Sequence, residues 1–169
     1  VPAPVPTLPF IRTRSADAFR SGEYTSTVEK AHGLLRLDPD RLVIQWRVHR
    51  TTSEFAAGYS TREELDPVRE VAIPLSHLAG AEFKRRARWL GGAPRLVISA
   101  GDLRAFEGVA GPDGLSLENP ARLELQLPRA EGDAGREFAG ELALAISEHQ
   151  LRLAEERARP PLPPRADTP

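Results

Sequence analysis

The stretch HGLLRLDPDRLVIQWRVHR, residues 32–50, decides the fold class of this chain. Two runs rich in apolar and β-forming residues flank Asp38-Pro39-Asp40. The proline presets φ for a turn, and the aspartates can bond the turn's own backbone. In the second run Leu42, Ile44, Trp46 and Val48 alternate with Val43, Gln45, Arg47 and His49. Successive side chains on a strand point to opposite faces, so this period of two predicts a β-hairpin with the even positions inward.

The same reading extends toward the C-terminus. Residues 51–67 are polar and read as a long connection. VREVAIPL (68–75) sets Val71, Ile73 and Leu75 on one face, with Pro74 marking an edge or a bulge. In AEFKRRARWLGG (81–92), Ala81, Phe83, Ala87 and Trp89 share one face while Glu82, Lys84, Arg86 and Arg88 share the other. Gly91-Gly92-Ala93-Pro94 then turns the chain, and RLVISA (95–100) returns as a strand. Residues 101–121 allow a helical turn or an irregular strand around Leu103, Phe106 and Val109. RLELQLP (122–128) alternates cleanly, with Leu123, Leu125 and Leu127 inward. From Asp133, a candidate N-cap, apolar or weakly polar residues recur at Ala134, Phe138, Leu142, Ile146, His149 and Leu153. Steps of three and four predict an amphipathic helix of about six turns that ends before Pro160.

Composition bounds the rest. The chain has 169 residues, a formal net charge of −1 and no cysteine. Near-neutrality gives no global field to draw it onto nucleic acid or an anionic membrane, so such binding needs a local patch. The missing cysteines exclude a disulfide framework, a thiolate metal site and a cysteine nucleophile. Nine of the 16 prolines fall in residues 1–9 or 160–169, which predicts extended ends. SADAFRSG (15–22) reads as a short helical turn capped by Ser15 and stopped by Gly22. The expected organisation is a proline-rich extension with that turn over 1–24, a domain over 25–158, and a disordered tail over 159–169. Within the domain, strands occupy about 32–128 and a capping helix about 133–158. No charged n-region followed by an apolar h-region opens the chain, so a cytoplasmic location is expected.

A hairpin, further antiparallel strands and one C-terminal amphipathic helix predict a mainly β, α+β fold. Periodicity alone leaves other α+β arrangements open, and an antiparallel sandwich or partial barrel capped by the helix is the expected form. With that order, GLLRLDPDRLVIQW, VREVAIPLSHLAGAEF, RLVISA and the closing helix resemble a bacterial pleckstrin-homology-like domain, from about Gly33 to about Leu153. The resemblance implies two near-orthogonal sheets closed at one end by the helix, no catalysis, and binding of proteins, peptides or acidic lipids. Members that grip inositol phosphates place basic residues around the first hairpin loop. Here that loop is Asp38-Pro39-Asp40-Arg41, two acids against one base.

Two stretches are candidate binding sites. Lys84, Arg86 and Arg88, with Trp89 beside a glycine turn, form a basic face that could meet an anionic membrane from the cytoplasmic side. The plainer reading is a solvated strand face whose cations pair with acids such as Glu70 or Glu82. In the tail, Arg157, Pro160, Pro163 and Arg165 fit polyproline-II ligand spacing, a pattern that any proline-rich end produces readily. The four histidines have no metal-ligand spacing, and no nucleophile–base set is legible. The expectation is a non-catalytic adaptor for a protein or peptide partner, with anionic lipid as the alternative and a small-molecule enzyme third. No nucleic acid, metal or cofactor is expected.

Overall fold

The computed structural model describes residues 5–85, 92–111, 114–115 and 117–159. Among these residues eight antiparallel strands precede one α-helix: β1 (Thr7–Arg20), β2 (Glu23–Leu37), β3 (Arg41–Phe55), β4 (Tyr59–Leu65), β5 (Arg69–Pro74), β6 (Leu78–Lys84), β7 (Arg95–Ala100), β8 (Arg122–Gln126) and α1 (Gly132–Ala158). The sheet order is β4-β3-β2-β1-β8-β7-β6, with β5 pairing β3 beside β4. The fold is therefore mainly antiparallel β with a single C-terminal helix, as the sequence predicts. The sheet is open, ending in β4 and β5 on one side and β6 on the other.

The predicted hairpin forms around residues 38–40, and Asp38 N–H donates to the Arg41 carbonyl at 2.9 Å. Leu42, Ile44, Trp46 and Val48 are buried, as their alternation requires, but Val43 between them is buried as well. They meet Leu8, Phe10 and Leu35 from β1 and β2, Ile73 from β5, Leu96 and Ile98 from β7, and Leu123 and Leu125 from β8. Phe138, Leu142 and Ile146 cover that layer from α1. Packing against β6 is the helix's most extensive contact. There Arg136 stacks over Phe83 at 5.6 Å, and Gln150 Nε2 donates to the Leu78 carbonyl at 3.2 Å. Gly135 lets the backbones approach: a Cβ there would lie 2.3 Å from Leu127 Cδ1.

Several expectations are corrected. Residues 15–22 form no helical turn: β1 pairs with β2 from Thr7↔Arg36 to Arg20↔Glu23 without a break. Part of the expected extension is thus a core strand, because Leu8 and Phe10 are buried. Residues 51–67 are no loose connection, since β3 continues to Phe55 and folds back as β4. Asp133 lies inside the first helical turn while Glu131 occupies the cap position without a side-chain bond. Ala134 is exposed, and Gly135 and Ala139 take the inward positions. Residues 101–111 are consecutive turns that bury Phe106 and Val109 but leave Leu103 in solvent.

The added strand length makes a ribbon. Beyond Ile11, Ala31 and Val48 the first four strands leave the core and run on together. No residue in 12–30 or 49–72 is buried. Nine further residues of β1 correspond to roughly 30 Å of extended strand.

Candidate functional site

The ribbon ends in two turns. Arg20-Ser21-Gly22-Glu23 has positive φ at both central residues, 50° at Ser21 and 88° at Gly22. That geometry matches the twist of the flanking strands and favours glycine at the second position. The other turn, Ala56-Ala57-Gly58, is closed by Ala56 N–H donating to the Gly58 carbonyl at 3.1 Å. An aromatic residue stands on each side of both turns: Phe19 and Tyr24, then Phe55 and Tyr59.

Strand register brings these four into one line. Phe19 pairs with Tyr24, Tyr24 with Phe55, and Phe55 with Tyr59. Directly opposed residues share a face, so the four rings form a row across all four strands, on the face away from the core. The Tyr24 and Phe55 centroids are 5.8 Å apart and those of Phe55 and Tyr59 4.8 Å, each pair tilted by 42°. Such distances are in the range of favourable ring contacts. The rings nevertheless face water, with Phe19 77% and Tyr59 65% exposed. The next row on this face is Asp17, Ser26, Ser53 and Thr61. Hydrogen bonds from Thr61 and then Ser53 hold the Tyr59 phenol below its ordinary pKa. The row thus joins apolar faces to a hydrogen-bonding floor.

On the opposite face the ribbon is held by charge. Arg14, Glu29, Arg50 and Glu64 are successive register partners of alternating sign. Arg50 Nε donates to Glu29 at 2.9 Å, and its Nη1 lies 3.4 Å from Glu64 and 3.9 Å from Asp66. The hydrogen bond to Glu29 is the main reason the Arg50 guanidinium is held above its usual pKa.

Among the described residues β4 pairs only with β3, so its other edge is open. It carries no proline, whereas the β5 edge ends on Pro74. Tyr59, Thr61, Glu63 and Leu65 lie along the aromatic face of that edge. Leu65 is 62% exposed.

The residues singled out from sequence are not at this site. Lys84 ends β6, exposed and 3.4 Å from Glu82 Oε2. Arg86, Arg88 and Trp89 lie outside the described residues. Arg157 is in the last turn of α1, and Pro160, Pro163 and Arg165 lie outside the described residues. His49 comes within 3.6 Å of Glu63, and no group of three His, Asp or Glu side chains among the described residues is arranged to hold a metal ion. The aromatic row has a sequence signal, the parallel spellings FRSGEY (19–24) and FAAGY (55–59), which aligns only once both segments pair as hairpins.

No protein-family model matches this chain, and neither a curated protein nor a solved structure does. No helix among the described residues is long and apolar enough to cross a membrane.

Proposed function

We propose that this chain is a non-catalytic, pleckstrin-homology-like adaptor that takes up an extended segment of a partner protein along the β4 edge. The observation that carries this reading is the exposed row Phe19–Tyr24–Phe55–Tyr59 beside that edge. Aromatic side chains dominate the energetics of protein interfaces, and an open strand edge offers main-chain hydrogen bonds to an added strand. The face of β4 also states what the partner should carry. An apolar side chain fits against Tyr59 and Phe55, a basic one opposite Glu63, and a second apolar one against Leu65. Alternate residues of a single strand can present that order.

Selection of a displayed library of linear peptides tests it, with counter-selection on the Phe55→Ala/Tyr59→Ala variant. The expected result is enriched sequences of apolar–polar–basic–apolar order at alternate positions, with amide shifts on binding centred on β4 and the aromatic row. Peptides that bind the variant equally, or shifts that avoid the ribbon, overturn the reading. Salt-sensitive flotation with anionic vesicles, lost on reversing Lys84, Arg86 and Arg88 to glutamate, assigns the function to the basic strand instead.

A further inference from the structure

β1 and β8 pair only at Ile11 and Gln126. Past that point they part, because β1 follows β2 into the ribbon while β8 stays with β7. The gap between them is a cleft of about 740 Å³. Arg12 and Arg14 line it from β1, Arg95 from β7 and Arg122 from β8, together with Glu118 and Glu124. Four guanidiniums against two carboxylates leave an excess of two positive charges.

We propose that this cleft binds a phosphoryl dianion, the phosphate monoester group of a small ligand or of a headgroup, through these arginines. The excess charge matches a monoester above its second ionisation, near pH 6. Planar guanidinium forks match phosphate oxygens two at a time, which a lysine cluster does not. Burial lowers the Arg12 pKa, and repulsion from Arg14 adds to the effect against the opposing pull of Glu118 and Glu124. Arg12 is therefore a partly buried cation with the like charge of the exposed Arg14 nearby, and a bound dianion offsets both costs. Asn119 Oδ1 accepts the Ala121 N–H at 2.8 Å, which leaves its NH₂ end to donate. The cleft shares no residue with the aromatic row or with β4, so this inference is independent of the adaptor reading.

Calorimetric titration of the full chain with phenyl phosphate and with inorganic phosphate, at neutral pH and low salt, tests the proposal. Phosphatidylcholine vesicles with and without phosphatidic acid form the second arm. Arg14 and Arg122 are exposed, so Arg14→Gln and Arg122→Gln are chosen to leave the fold intact, as circular dichroism checks. Saturable phenyl phosphate binding is expected to weaken roughly tenfold or more in each. Arg122→Lys should lose less, and Glu118→Gln should bind more tightly. Inorganic phosphate binding as well as the ester identifies a free phosphate site. Binding only to phosphatidic acid vesicles, lost in the same variants, identifies a headgroup site. Absence of saturable binding in both arms, or binding unchanged in both glutamine variants, overturns the proposal.

Discussion

Gly33 stands in register between Phe10 on β1 and Trp46 on β3. A Cβ there would lie 2.2 Å from Phe10 Cζ and 2.6 Å from the Gln45 carbonyl oxygen, so the ring occupies the space that the missing side chain leaves. Aromatic cover of a strand glycine is a known way to fix register. Gly33→Ala should therefore cost about 1–3 kcal/mol through overpacking. Thermal unfolding reads this as a loss of about 2–4 °C per kcal/mol, partly recovered in Gly33→Ala/Phe10→Leu. Tyr59 supplies a pH prediction. Its phenol is depressed by Thr61 and Ser53, so the associated stability lies at alkaline pH and is lost as pH falls through the folded-state pKa. Ultraviolet difference titration should show this tyrosine ionising early, and Thr61→Val/Ser53→Ala should return it toward its ordinary value.

The ribbon is an element with no hydrophobic interior. One face is aromatic and hydroxylic, the other charged, and both are wet. Its stability rests on backbone ladders and on cross-strand pairs such as those of Arg50. Arg50→Ala leaves Glu29, Glu64 and Asp66 without their shared cation. Because these groups are partly exposed, the cost should be on the order of 1 kcal/mol and shrink with added salt. Hydrogen exchange is the discriminating measurement. Amides of 23–30 and 49–55 should exchange faster in the variant while those of β7 and β8 stay unchanged, since local openings need not involve the core. Equal acceleration throughout would show that ribbon and core open as one unit.

At the scale of the whole molecule, α1 is the cover of the open sheet. Leu142 is fully buried against that sheet, whereas Leu144, two residues on, is 59% exposed. Leu142→Ala should cost about 2–5 kcal/mol, the lost burial plus the cavity left behind. Leu144→Ala should stay within about 0.5 kcal/mol. Denaturant unfolding of the two variants separates them. A small loss at Leu142 would mean that the sheet holds its core without the helix.

The alternation from Leu42 to Val48, the leucines of β8 and the stripe through Phe138, Leu142 and Ile146 were legible because each element buries mainly one face, Val43 being the exception in β3. Burial imposes a period, and the period is written in the residues. That alone determined a mainly antiparallel β fold with one C-terminal helix. The outer halves of β1 and β2, and all of β4, were illegible for the converse reason. With water on both faces, no alternation is demanded, and weak strand formers such as Ala16, Asp17 and Ala18 are held by pairing rather than propensity. Only the tertiary structure decided that those segments pair, that pairing aligns four aromatics from two distant hairpins, and that β1 leaves β8 to open an arginine-lined cleft. Register and strand divergence are relations between segments far apart in the chain, and no local pattern encodes them.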